Sequence, residues 1–116
     1  ARQPWPVNVL ALAALTACAR RPDTAEVVAR EVAQARNDLV AGLQEISGIQ
    51  VWPSVANFVL IQVPDGPAVY RELGIRGIAV RRAETFSGLS HDHLRVAVRT
   101  PEDNGALLAA LSEFFA

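Results

Sequence analysis

The chain has 116 residues, 51% of them hydrophobic, and a formal net charge of −1. That length suits one domain with a modest core, the apolar content excludes a disordered segment, and the near-neutral charge gives no nucleic-acid or anionic-membrane surface. All 11 basic residues are arginine and lysine is absent, so no side chain can form a Schiff base, whereas guanidinium groups can still grip carboxylate or phosphate through paired hydrogen bonds.

Arg2-Gln3-Pro4-Trp5-Pro6 reads as extended or turn-like, because each proline disfavours helix in the residue before it. A first helix is predicted from Pro6 to Asn8 through about Arg20, with Leu10, Ala11, Ala14, Leu15 and Cys18 on one face. Val9 to Ala19 is apolar and near the amino end, yet it follows helical spacing and no small-x-small cleavage site leads into a mature start; export is rejected. No apolar run reaches the ~20 residues of a membrane span. The single Cys18 excludes an intrachain disulfide and agrees with a reducing, cytoplasmic setting. On its helix face it reads as a buried, inert thiol.

Pro22 should stop the first helix, and Asp23 should cap a second with Glu26 as capping-box partner. Val28, Val32, Ala35, Leu39, Leu43 and Ile46 mark its apolar face, and Ser47-Gly48 its end. A helix of roughly 24 residues spans about 36 Å, long enough to read as a spine between two bodies. The period then changes. Ile49 to Trp52 reads as a short strand with the indole in the core, and Phe58 to Val63 as a continuous apolar, central strand. Pro67 to Leu73 should form a short helix closed by Gly74. Ile78 to Arg81 and Leu94 to Val98 are two further strands. Thr100-Pro101-Glu102-Asp103 opens a last helix that turns Leu107, Leu108, Leu111, Phe114 and Phe115 inward. The expected fold class is α+β, order ααββαββα, a small sheet covered on one face by helices.

Strand alternation carries the functional signal. In Leu94 to Arg99 the aliphatic residues at 94, 96 and 98 should face the helices, which sends Arg95, Ala97 and Arg99 to the opposite face. Ile78 and Val80 likewise leave Ala79 and Arg81 opposite. If the two strands pair, small alanines and large arginines share one face, as in an anion site. Such arginines can also simply be solvated. Against that, no acid sits at alternating positions on these strands; Glu84 and Asp92 lie in the loop between them. That loop, Arg82 to His93, holds Phe86, Gly88 and two histidines, and loops presented by a rigid sheet often carry function. His91 and His93 flank Asp92 without a third ligand at suitable spacing, so a solvated turn and no metal site is expected. Ser54 and Ser87 have no neighbouring base, and no glycine-rich phosphate loop is present.

The stretches RQPWPVNVLALAAL (2–15), PSVANFVLIQV (53–63), RGIAVRRAETFSGL (76–89) and HLRVAVRTPEDNGALLAAL (93–111) together resemble the carboxy-terminal part of fold-type-I pyridoxal-phosphate enzymes. The group resembled contains histidinol-phosphate aminotransferase and threonine-phosphate decarboxylase. The resemblance implies the C-terminal small domain of an aspartate-aminotransferase-like enzyme, with Arg95 binding a substrate α-carboxylate and Arg81 helping to bind carboxylate or phosphate. Alternation sends Arg82 to the other side. Phe86 and Gly88 are the candidate active-site loop. The tryptophan of QPWPVN and the Phe-x-Gly-Leu loop look more like the decarboxylase of cobalamin biosynthesis, although Ser87 stands where that family often has proline.

The resemblance further implies that residues 1–116 are one substrate-binding domain, with 1–22 a helical connection toward a cofactor-binding large domain. The family's cofactor lysine precedes the region matched. Pyridoxal phosphate is therefore expected in the parent enzyme and not on this chain alone, which should carry no catalytic residue and show no turnover by itself. The expected partners are a phosphorylated amino acid, the large domain and a second copy of the chain. A histidinol-phosphate-type aminotransferase, a free-standing binding module and an interaction protein using the first two helices are the competing readings.

Overall fold

Two central strands with aliphatic residues at every second position organise the architecture. The computed structural model describes residues 7–116, so the expected turn at Arg2 to Pro6, with Trp5, lies outside the described residues. The elements are α1 (Val9–Ala19), α2 (Pro22–Gln44), β1 (Gln50–Val51), β2 (Phe58–Gln62), α3 (Gly66–Ile75), β3 (Arg81–Arg82), β4 (His93–Ala97) and α4 (Pro101–Phe115). This is the expected α+β order. The described residues through Glu31 cluster as one unit and Val32–Ala116 as another.

In the first unit, the Asn8 side chain caps α1 by accepting from the Ala11 N–H at 2.8 Å. No residue of α1 is buried, and Cys18 is exposed. The expectation of a buried thiol fails because an apolar face buries a thiol only where something covers it, and along α1 no residue is buried. The start of α2 also differs. Pro22 is its first residue and Asp23 lies in the first turn; proline, lacking an N–H, suits that position, and the aspartate meets the positive end of the helix dipole without capping it. Val28, placed on the apolar face by its spacing, is 49% exposed.

In the second unit the four strands form an antiparallel sheet of order β1-β2-β4-β3. Val59 and Ile61 of β2 face the same way as Leu94 and Val96 of β4, and all four are buried. They meet Leu39 and Leu43 of α2, Val69 and Leu73 of α3, and Leu107, Ala110 and Leu111 of α4 in one core. Each fully buried aliphatic side chain contributes about 1.5–3 kcal/mol. Phe114 does not join them: it is 37% exposed, while Phe115 packs partly against the core. On the opposite sheet face, Phe58, Leu60, Arg95 and Ala97 are at most half-buried. Helices cover one face only.

Two expected boundaries shift. Gly74 lies inside α3, and Gly77 closes it, with φ +76°. The Gly77 N–H donates to the Gly74 carbonyl at 3.0 Å and the Ile78 N–H to the Leu73 carbonyl at 2.8 Å. That pair of bonds is the Schellman closure, which requires a left-handed residue best supplied by glycine. Because this closure takes the Ile78 N–H, the following strand starts late, and only Arg81–Arg82 pair with β4 rather than the whole of Ile78 to Arg81. Thr100 caps α4 as predicted, accepting from the Asp103 N–H at 3.2 Å. Among the described residues, no helix is long and apolar enough to cross a membrane.

Candidate functional site

The register of β3 on β4 decides where the arginines go. Arg81 stands directly opposite Arg95, and Arg82 opposite Leu94. Leu94 faces the core, so Arg81 and Arg95 share the open face, as alternation predicts. Two like charges opposite one another on a sheet are unfavourable by themselves, by about 0.2–1 kcal/mol. Among the described residues no carboxylate pairs with either one; the arginines that do form ion pairs are Arg76, Arg82 and Arg99.

Aromatic rings take the place of acids. The Arg95 guanidinium lies over the Phe58 ring at 4.7 Å from its centroid, and the Arg81 guanidinium over the Phe86 ring at 5.7 Å. A recess of about 340 Å³ opens beside them, lined by Asn57, Phe58, Ala79, Val80, Arg81, Arg95 and Ala97. The small alanines leave the floor low. Two larger recesses flank residues 77–80, but neither brings two unpaired cations together: one is lined by Arg71 alone among cations, and the other holds Arg99 already paired with Asp103.

Arg99 thus departs from its expected place on the arginine face. It follows the end of β4, and its Nε–H donates to the Asp103 carboxylate at 3.1 Å across the first turn of α4. Arg82 rests over the Tyr70 ring at 5.5 Å and pairs with Glu84 at 3.2 Å. At the far corner of the domain, the hydrogen bonds that the Arg76 guanidinium donates to Glu113 and then to Glu72 raise its pKa further above its already high ordinary value.

The loop between β3 and β4 is folded on itself. The Phe86 N–H donates to the Ala83 carbonyl at 3.0 Å and the Leu89 N–H to the Phe86 carbonyl at 3.1 Å, with Gly88 at φ +86° in the second turn. His93 closes it. Its Nδ1 accepts from the Ser90 N–H at 3.0 Å, which leaves the ring hydrogen of the neutral imidazole on Nε2. His93 is only 8% exposed, contrary to the solvated turn expected there, because Trp52 lies over it with ring centroids 5.4 Å apart. Both residues fall on the open face by alternation, so the indole covers the imidazole there and does not enter the helix-side core. Among the described residues, no three His, Cys, Asp or Glu side chains gather as a metal site.

α3 braces the same loop from beneath. The Gly66 N–H donates to Asp92 Oδ1 at 3.0 Å, and the Val63 N–H to the Asp92 carbonyl at 3.0 Å. The approach is so close that a Cβ on Gly66 would stand 2.1 Å from the His91 carbonyl oxygen. Sequence reading missed Asn57 and Phe58 as site residues. The signal was available: Phe58 alternates with Val59 and faces Ala97 across the ladder, but an unbroken apolar run conceals which face each residue takes.

No family model matches the chain. Among curated proteins it is 35% identical over 114 residues to a histidinol-phosphate aminotransferase from Chromobacterium violaceum, covering 98% of this chain and 32% of the relative. It is 34% identical over 115 residues to an adenosylcobalamin biosynthesis bifunctional protein, CobDQ, from Leptospira interrogans, covering 96% of this chain and 13% of that one. The crystal structure of L-threonine-O-3-phosphate decarboxylase from Porphyromonas gingivalis superposes with a TM-score of 0.81 at 25% identity, over 97% of this chain and 35% of that one. The chain therefore spans about a third of the length of the aminotransferase it matches. In sequence and in fold it is the counterpart of the carboxy-terminal third of fold-type-I pyridoxal-phosphate enzymes of the histidinol-phosphate aminotransferase and threonine-phosphate decarboxylase group.

Proposed function

We propose that this chain is the substrate-holding domain of a pyridoxal-phosphate-dependent enzyme acting on a phosphorylated amino compound. In this reading Arg95 receives the substrate's carboxylate, or its phosphate where it has no carboxylate, and Arg81 helps to hold the anion. The observation that carries it is the direct cross-strand placement of Arg81 opposite Arg95 on the uncovered face, with no acid on either. Two paired cations without counter-charges are better satisfied by an incoming dianion than by water, because guanidinium binds carboxylate and phosphate through two parallel bonds. The loop carrying Phe86 and Gly88 borders the same face.

Enzymes of this family use pyridoxal phosphate. The residues present do not fit its covalent attachment: the recess offers guanidinium, amide and aromatic groups, and the whole sequence lacks lysine. The chain's own part is to hold substrate anions in place. The segment that holds α1 then serves as the connection to a large domain that supplies the lysine, in a cytoplasmic homo-oligomer. The 35% identity to a histidinol-phosphate aminotransferase over nearly the whole chain favours amino transfer. Decarboxylation of a phosphorylated amino acid is the second reading, supported by the TM-score of 0.81 to the threonine-phosphate enzyme and by the tryptophan and Phe-x-Gly-Leu motifs.

The test is Arg95→Gln in the intact protein, with histidinol phosphate and O-phospho-L-threonine each titrated as ligand. Truncating an arginine that makes paired hydrogen bonds to an anion should cost about 2–5 kcal/mol of binding. Unchanged affinity sinks the reading. Amine transfer from histidinol phosphate, set against carbon dioxide release from O-phospho-L-threonine, separates the two reactions. Borohydride reduction with bound cofactor should leave no pyridoxyl group on any side chain of this segment.

A further inference from the structure

Phe58 is an exposed aromatic on a strand at the middle of a sheet, where a large apolar side chain on the uncovered face lacks a core to justify it. It is 37% exposed. Its register explains the position. Phe58 pairs with Ala97, and Arg95 pairs with Leu60, so Phe58 and Arg95 are diagonal neighbours across β2 and β4. Diagonal neighbours on one face are within reach of long and aromatic side chains. Ala97, opposite the ring, is too small to compete for the space, and the Arg95 guanidinium settles over the ring at 4.7 Å.

The choice of partner has a chemical consequence. A carboxylate would hold Arg95 equally well, but it would occupy the N–H donors that an incoming anion needs. A ring attracts the cation through its π face and accepts none of the five N–H bonds. Arg81 is treated the same way by Phe86. The two guanidinium groups are thus held while their donor edges stay available.

Resting on the reading of Arg81 and Arg95 as the anion-holding pair, we infer that Phe58 is a positioning residue. Its ring fixes the Arg95 guanidinium over the recess before the ligand arrives. An arginine side chain left free must be ordered at the moment of binding, which costs affinity because a rotamer-rich side chain loses its freedom. Phe58 removes that cost from the binding step.

The experiment compares Phe58→Leu, Phe58→Trp and Arg95→Gln with the parent in the intact protein. O-phospho-L-threonine is the probe for affinity, and the Arg95 Nε–H resonance reports its orientation. Phe58→Leu keeps the apolar bulk and loses the face; affinity should fall about threefold to tenfold, and the ring-current displacement of the Arg95 resonance should vanish. Phe58→Trp should restore both. Arg95→Gln should weaken binding more than either.

If Arg95→Gln binds as well as the parent, the anion-site reading itself fails. If Arg95→Gln weakens binding while Phe58→Leu does not, or Phe58→Trp is as weak as Phe58→Leu, the positioning role is overturned and the site stands. Should Phe58→Leu fail to fold, the parent protein decides alone. The displaced Arg95 resonance must be present before ligand is added and persist at saturation; an undisplaced resonance overturns the role.

Discussion

Replacing Gly66 by alanine should unlock the loop that carries Phe86. The added Cβ would lie 2.1 Å from the His91 carbonyl oxygen and 2.6 Å from Asp92 Cα, both backbone atoms that cannot swing aside. Reaching ordinary contact requires a shift on the order of 1 Å. Such a shift breaks the 3.0 Å bond from the Gly66 N–H to the Asp92 carboxylate. Overpacking of this kind costs about 1–3 kcal/mol and a hydrogen bond to a charged acceptor about 1.5–3. The stiffer unfolded chain of the alanine variant returns about 0.4–1 kcal/mol. The net loss is about 3 kcal/mol, equivalent to a fall in melting temperature on the order of 10–20 °C for a unit of this size. Urea denaturation followed by circular dichroism measures it, with Asp92→Asn as the control that keeps the acceptor and removes only its charge. A Gly66→Ala variant within about 0.5 kcal/mol of the parent, the ordinary range for a surface change, would refute the account of how α3 braces the site.

Gly77→Ala should cost about 1–2 kcal/mol by thermal denaturation, because Gly77 holds φ +76° with open space where a Cβ would go, so backbone strain acts alone. Arg99→Gln should leave the affinity for O-phospho-L-threonine unchanged in an isothermal titration, since its side chain is committed to Asp103. It should alter stability by less than about 1 kcal/mol, as expected of an exposed pair.

Much of the fold was legible because its signals are local. The Thr100-Pro101 start of α4 and the alternation along Leu94 to Val98 are set by neighbours in sequence, and both appear as read. The pairing of Arg81 with Arg95 followed once the two strands were assumed adjacent. What escaped depended on long-range packing. Gly74 and Gly77 carry similar local signals, and only the bonds back to Leu73 and Gly74 distinguish them. Cys18 shares a helical face with leucines, but a face is buried only if something covers it, and in α1 no residue is buried. His93 looks like a turn residue until Trp52, 41 positions earlier in the chain, is found lying against it. Arg99 continues the alternation on paper, yet the strand has ended and the nearest acid claims it. Phe58 was hidden for the opposite reason: every residue from Phe58 to Ile61 is apolar, so hydropathy could not separate the two faces.

One of the two edge strands, β3, is two residues long and both are arginine. Backbone groups along such a border are an invitation for a foreign strand to add itself, and short length and positive charge are the usual deterrents. Arg81 thereby acts, independently of any metabolite, as a sentry on the rim of the sheet. Removing both charges together would leave the border unguarded, and the protein prone to stack edge to edge on other copies of itself.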